Sequence, residues 1–524
     1  MFFSKDMLAT LIIFVILLFS LIPSIPILSK SSILNYNREE LLSLAIETYE
    51  WMMQFQVTPA NYSWGWHLKC PEAWGGLAGY YTKKYRWAAL YGAESSIQMY
   101  IASHDTGWFL ELGVKLYKLT GNKTFLTASK LAAEWALRIQ IGYSEWLNSF
   151  KNQYFLPIRV DNKVSWKLRP GIKFPKDVIG AYTEGMFVFS GKPPSFDKWG
   201  IGEDFAEPAL WIAPEHVNPI VRGLLELYEV TGNTIYLTSA LRAIDFLLRM
   251  TSDEGGVYTS YPPETYGIRM GDAAETAITL FKAYKILANK TYFKYGINIC
   301  EFMLSKIRYQ PPYGLPHLST AGGEWRKDSL FTEDAASAIE AFLLAYNLTG
   351  DGRYLTAAEN LSKFILSMQS TSFQYDWGIK DYAYDVKAVG GFFWACKPKY
   401  SKRWSYRIGY SIISYEFIST ASSALIALLK LYKIDNREDL LKSIDLGFEW
   451  IMKMRFKSGN ILFLPGLKVK SDPHGLYRSG YIPSLGRYYD EVEGTMCGNP
   501  EQGFCVAMSA AGPCYLFIEL IRGI

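Results

Sequence analysis

Carboxylates recur at a nearly fixed distance before a repeated turn. Asp105 lies 15 residues before Thr120, and Glu215 lies 16 before Thr231. Asp272 lies 16 before Ala288, and Glu333 lies 16 before Thr349 with Asp334 beside it. Glu416 and Glu501 hold roughly corresponding places near the chain's end. Glycoside cleavage requires one carboxyl group as proton donor and a second as base or nucleophile, roughly 5–9.5 Å apart. Asp272 and Glu333, with Asp334 as the substitute, are the preferred catalytic set. Their matched offset places them at one height on neighbouring helices about 10 Å apart. One acid is expected to be buried with a raised pKa, and the other to stay ionised near Arg269 or Arg326. Glu275, Arg269, Arg326, Trp325, Tyr266, His216, Glu215, Asp105, Glu416 and Glu501 are the candidate substrate-binding residues. The competing reading is plain: an acid at a helix N-terminus also serves as a cap.

The chain has five histidines, none in a metal-ligand spacing, so neither metal nor cofactor is expected. His104-Asp105 and Glu215-His216 nevertheless stand at two of the same helix starts. A lyase or epimerase needs a base to take the proton beside a uronate carboxylate, and His or Tyr can serve. A structural histidine is the competing reading at each position. Long segments rich in Trp, Tyr and Gly, such as 64–81, 254–267, 373–385 and 390–404, suit sugar faces, or simply cover the end of the fold. Arg269, Arg326, Arg403 and Arg407 are planar forks for a substrate carboxylate. Gly185–Lys192 has the wrong glycine spacing for a phosphate loop, and no G-x-S-x-G elbow occurs. A net charge of +4 gives no field for nucleic acid.

These residues are positioned by a repeat of helix, short turn and helix. It appears at 109–137, 220–248, 277–304, 338–366 and 423–452, usually around Leu-Tyr-x-x-Thr-Gly-Asn-x-x-Tyr/Phe-Leu. Gly or Asn ends the first helix in a left-handed residue. Two helices are left unpaired, 39–56 and 502–521, and pairing them closes a ring of six hairpins. First helices should form an inner ring of small and apolar residues, with the charged second helices outside. Turns within hairpins are short and connections between hairpins long, so every long connection emerges on one face, where binding groups concentrate.

This pattern resembles the (α/α)6 toroids of the six-hairpin glycosidase superfamily over nearly everything after residue 38. The resemblance implies an all-α toroid with long irregular or β-hairpin loops on one face. It further implies a carbohydrate-active enzyme, most simply a glycoside hydrolase acting on an oligo- or polysaccharide. A uronate lyase or sugar epimerase shares the architecture, and a non-catalytic glycan-binding scaffold is the remaining alternative. No single family's catalytic motif maps onto the residues.

Composition is that of a large globular chain, with 49% apolar and 20% charged residues among 524. Residues 1–30 read as a signal peptide or membrane anchor, because 7–28 is almost uninterruptedly apolar. Residues 31–524 read as one toroid domain outside the cytoplasm. Glycosylation sequons begin at Asn61, Asn122, Asn289, Asn347 and Asn360. Cys497–Cys505 and Cys70–Cys396 are candidate disulfides in that compartment.

Overall fold

The Thr-Gly-Asn signature closes its turn with side chains as well as backbone. The hydroxyls of Thr120, Thr231 and Thr349 donate to the carbonyl one turn back and accept from the amides of residues 122, 233 and 351. The glycine between is left-handed in each case, for example Gly121 at φ 71°. Asn122, Asn233 and Asp351 then cap the next helix by accepting from the amide two residues on. In the third repeat Ala288 itself takes the left-handed position, at φ 53°, and Asn289 is the cap. Capping therefore accounts for the Asn of two sequons, 122 and 289. Asn360 is buried and donates to the Arg308 carbonyl.

The computed structural model describes residues 36–67, 69–80, 97–149, 154–160, 163–169, 174–189, 205–209, 211–263, 267–310, 313–318, 328–382, 385–400, 407–455, 459–464, 467–471, 477–478, 480–488 and 510–523. Its helices are α1 (Arg38–Met53), α2 (Ser103–Thr120), α3 (Lys123–Arg138), the short α4 (Glu145–Ser149), α5 (Pro214–Thr231), α6 (Thr234–Arg249) and α7 (Met270–Leu287). They continue with α8 (Lys290–Leu304), α9 (Thr332–Thr349), α10 (Gly352–Met368), α11 (Ile418–Asp435), α12 (Glu438–Met454) and α13 (Gly512–Ile521).

Helices α2, α5, α7, α9, α11 and α13 pack each on the next, and α13 returns to α2. Small residues let them approach: a Cβ on Gly107 would lie 2.6 Å from the Ile220 nitrogen across the α2–α5 contact. Around this inner ring, α3, α6, α8, α10 and α12 fold back on their partners, and α1 packs on α13. Each outer helix buries one stripe, as α3 does with Phe125, Ala128, Ala132, Trp135 and Ala136. The architecture is an (α/α)6 toroid, as the repeat implies.

Buried glutamines tie the long connections to this frame. Gln56, Gln140 and Gln369 follow outer helices, and each donates to a loop glycine carbonyl and to a carbonyl of the adjacent outer helix. Two of these loops are near-copies, Gln56-x-Thr58-x3-Tyr62-x-Trp64-Gly65 and Gln369-x-Thr371-x3-Tyr375-x-Trp377-Gly378. In both, the Trp indole donates to the Gln side chain and the Thr hydroxyl to the Trp carbonyl. This duplication is legible in the sequence, but the helical repeats overshadow it.

Among the described residues the two larger antiparallel sheets stand on the long-loop face, one of four strands (78–80, 97–102, 185–189, 205–209) and one of five (330–331, 393–400, 407–417, 480–482, 487–488). Strands Ile97–Ala102, Leu330–Phe331 and Arg407–Phe417 run directly into α2, α9 and α11, so the sheets fix the starts of inner helices. Cys70 and Cys396 are separate buried thiols, which corrects their candidate pairing; Cys497 and Cys505 lie outside the described residues. The apolar run 7–28 also lies outside them, and among the described residues no helix is long and apolar enough to cross a membrane.

Candidate active site at the toroid mouth

The inner helices bring like positions to like places. Asp105, His216, Asp272 and Asp334 are each the third residue of their helix and each stand 16 positions before its left-handed residue, Gly121, Gly232, Ala288 or Gly350. All four are buried at the mouth of the ring. His104, Glu215 and Glu333 occupy the second position and are turned about 100° from the third. Asp334, not Glu333, is thus the counterpart of Asp272. The Thr residues marked the wrong register, because in α7 the left-handed residue is Ala288 itself. Glu333 reaches sideways instead and accepts from Ser419 and Thr420 of α11, at 3.1 and 2.7 Å.

Arg269, the residue before α7, joins three helices. Its Nη1 lies 2.9 Å from Glu215 Oε2 and 3.7 Å from Asp272 Oδ1, and its Nε lies 3.8 Å from Asp334 Oδ1. Asp334 Oδ2 is also 2.6 Å from Nδ1 of His317, a buried residue of the 305–329 connection. Gly271 makes room for this, since a Cβ there would meet Asp334 Oδ1 at 2.3 Å. The guanidinium expected to hold a substrate carboxylate is therefore already surrounded by the protein's own.

Electrostatics separate these acids. Burial pushes Asp272 well above the usual carboxylate range against the pull of Arg269, with Glu215 and Asp334 adding to the rise. Burial pushes Glu215 upward too, but the positive charges of Arg269 and His104 help hold it below its ordinary value. Both acids lie beside the same Nη1, which keeps the two carboxyl groups close to each other.

A second pair is made of imidazoles. The rings of His104 and His216 are 5.8 Å apart, edged by Trp108 at 5.3 Å from His104 and by Trp211 at 5.4 Å from His216. His104 Nε2 sits 2.7 Å from Asp105 Oδ1, and its side chain is 36% exposed. Burial lowers the His104 pKa, but Asp105 more than reverses this and carries it up to about 9. Burial carries His216 down to about 4, and the attraction of Glu215 does not offset it. Neither ring nitrogen of His216 has a hydrogen-bond partner among the described residues. Glu184 completes the group: burial lifts it to about 7, the Tyr100 hydroxyl opposing and the Glu215 charge adding.

Glu184 was not among the candidates. It lies in the 150–213 connection and reaches the mouth because its carbonyl accepts from the Ser103 amide at the start of α2. No helical offset could mark such a residue. His317 likewise has no sequence signal beyond its type.

Two further candidates lie elsewhere. Glu275 is one turn deeper, inside the ring, bound by Arg222 and by Ser337. Glu416 precedes Phe417 on its strand and points to the opposite side, where its Oε2 would be 2.6 Å from a Cβ on Gly391. It is fully buried behind the sheet, and burial, with Asp385 adding, holds it well above the carboxylate range. Tyr266, Trp325, Arg326, Arg403 and Glu501 lie outside the described residues. Among the described residues no three His, Cys, Asp or Glu converge as a metal site.

Below the mouth, residues one turn apart line the axis and are charged: Glu111 and Lys115 on α2, and Arg222 and Glu226 on α5. Glu111 accepts from Arg222, Lys282 and Tyr515 at 3.2, 3.0 and 2.6 Å. Lys282 also meets Glu226 at 2.7 Å, and Lys430 meets Glu340 at 2.7 Å. The axis-facing side is therefore ionic, while the sides on which the inner helices pack carry the small and apolar residues expected of them.

The ring order, the single loop face and the mouth define an (α/α)6 toroid. No family model matches the sequence, and no curated protein matches it. Solved structures do match. A sugar epimerase from a ruminal bacterium shares 14% identity at a TM-score of 0.53, covering 93% of this chain and 98% of its own. A D-mannose isomerase shares 10% at 0.53, with the same coverages. A family 76 glycoside hydrolase from a bovine Bacteroides thetaiotaomicron strain shares 11% at 0.50, covering 93% of this chain and 79% of its own. At these identities the similarity is one of fold.

Proposed function

We propose that this chain is a carbohydrate-active enzyme that moves a proton at a sugar carbon beside a carbonyl, as an epimerase or isomerase does. The His104–His216 pair carries the reading. Near neutrality one imidazole is protonated and the other is not, and their rings are 5.8 Å apart at the solvent-reached mouth. Oppositely displaced pKa values identify an acid and a base. His216 takes the carbon-bound proton while the His104 imidazolium gives a proton to the developing enolate oxygen. His216 then gives its proton to the adjacent carbon while His104 takes back a hydroxyl proton, and the isomer forms; a solvent proton added to the opposite face, with His216 releasing its own to solvent and His104 retaking the enol proton, gives the epimer. Trp108 and Trp211 supply flat apolar edges for the sugar. The epimerase and isomerase that share the scaffold support the reading at the level of fold.

Incubating neutral aldoses, oligosaccharides and uronate-containing glycans in D2O tests this by mass spectrometry. A sugar that gains carbon-bound deuterium without chain cleavage is the expected result. An unsaturated, ultraviolet-absorbing product would instead make the chain a lyase. New reducing ends without deuterium would favour the second reading, a glycoside hydrolase with Asp272 as proton donor and Glu215 as the ionised partner. The opposite displacement of those two acids around Arg269 supports it. Binding without turnover would leave a glycan-binding scaffold.

We further propose that residues 31–524 form one domain that works outside the cytoplasm, tethered or released through 1–30. The apolar run 7–28 supports this. Full-length chain recovered as soluble cytosolic protein would overturn it.

A further inference from the structure

The lumen below the mouth is hollow. A cavity of about 490 Å³ follows the ring axis from Trp108, Glu275 and Ser419 down to Lys285, Lys430 and Arg522. That volume is within the usual range for small-molecule sites, roughly 300–1,000 Å³.

Its construction is unlike a core. Buried ion pairs are costly, and an apolar filling of similar volume is commonly as stable or more so. An unfilled space also forfeits dispersion contacts along its walls. Yet Glu111, Lys115, Arg222 and Glu226 are each less than a tenth exposed and line this space. Stability alone gives no reason for a buried lining that is both charged and hollow.

The pairing of the charges indicates what fits. The lining cations Lys115, Arg222, Lys282, Lys430 and Arg522 each meet a lining carboxylate, from Glu111, Glu226, Glu275, Glu340 or Glu519. Lys285, exposed at the lower end, adds the remaining lining cation. A charged ligand meets a nearly cancelled field, whereas hydroxyl groups find donors and acceptors along the whole axis. Trp108 near the top and Tyr515 deeper supply the ring faces that a sugar's C–H groups use.

We propose that the lumen is a second, deeper binding site for a neutral polyhydroxylated ligand, the end residue of the saccharide that reacts at the mouth. This rests on the saccharide reading above but not on which reaction occurs. The enzyme then acts at chain ends, with the terminal residue seated among Trp108, Arg222, Glu275 and Tyr515.

Plugging the space without touching its ion pairs tests the proposal. Ser423 and Ile426 line the cavity on α11 and are half-buried. Ser423→Phe and, separately, Ile426→Phe are titrated by calorimetry with glucose, mannose, cellobiose and glucuronate, alongside the parent chain. The expected result is parent binding of a neutral sugar that weakens about tenfold or more in a plugged variant whose melting temperature is unchanged. If one variant does not fold, the other carries the test. Equal affinity in a folded plugged variant overturns the site. Preference of the parent for glucuronate overturns the ligand class, and no binding of any of these sugars overturns the proposal. Calorimetry needs no turnover, so a failed D2O exchange experiment with intact lumen binding removes only the proposed reaction.

Discussion

The mouth and the lumen are one helical turn apart and are built from the same residue types, yet their charges are treated in opposite ways. In the lumen, Glu111 has three cations and a phenol around it, and these outweigh its burial and hold its pKa well below the ordinary value. At the mouth, Asp272 is displaced upward, His104 and His216 are displaced apart, and the His216 nitrogens have no hydrogen-bond partner among the described residues. The lumen is a satisfied network that holds one charge state. The mouth stores unsatisfied groups in different charge states, which is what proton transfer requires. Ionisable residues alone do not mark chemistry; failure to pair them does.

The sharpest way to break this contrast is to remove the imidazoles. His216→Gln or His104→Gln should lower turnover about 10²–10⁴-fold, with the melting temperature nearly unchanged. The parent rate should rise with pH through about 4 as His216 loses its proton and fall through about 9 as His104 does. A rate that survives either change would remove the acid–base pair. A falling limb near 7 would transfer the donor role to Glu184.

The lumen should respond in stability instead. Glu111→Ala leaves Arg222, Lys282 and Tyr515 facing no acceptor there and should cost about 3–5 kcal/mol in denaturant unfolding. Turnover per folded molecule at saturating sugar should stay near the parent's, and the altered lining should show in KM. Because the folded pKa of Glu111 is depressed, its contribution is present above the ordinary carboxylate value and is lost as pH falls through the folded one. A variant as stable as the parent but inactive would reverse the assignments of the two regions.

The smallest effect concerns Glu184 and has the opposite sign. Its folded pKa is raised to about 7, so its contribution is complete below the ordinary value of 4.5 and is lost as pH rises through 7. Glu184→Gln should therefore melt a few degrees above the parent at pH 8 and no higher at pH 4.5. Equal melting at both values would mean the carboxyl group is well solvated.

Much of the frame was readable one residue at a time. Turn chemistry is local: Thr, Gly and Asn carry in their own side chains and φ preferences what ends one helix and caps the next, so the hairpins and the loop face follow from sequence. The candidate site was legible only to the level of the helix start. Asp105, Glu215, His216, Asp272 and Asp334 stand together at the mouth, because position in an inner helix determines height along the axis. Glu333 was chosen over Asp334 because one residue of register rotates a side chain by about 100°. The Thr that marks the turn in most repeats does not mark it in the third. Glu416 failed for a related reason: alternation on a strand turns it away from its neighbour Phe417.

The sequence by itself determined the periodic part of this protein: the hairpins, their short turns and the residue types at each inner-helix start. Only the tertiary structure decided which groups meet. Arg269 gathers acids from three helices, His317 and Glu184 arrive from long connections, and Glu111 collects partners from three other inner helices including the last. Such contacts join residues far apart in the chain, and burial then sets which of them remain charged. Neither distance across the ring nor loss of solvent is written in local spacing, so those properties exist only once the ring has closed.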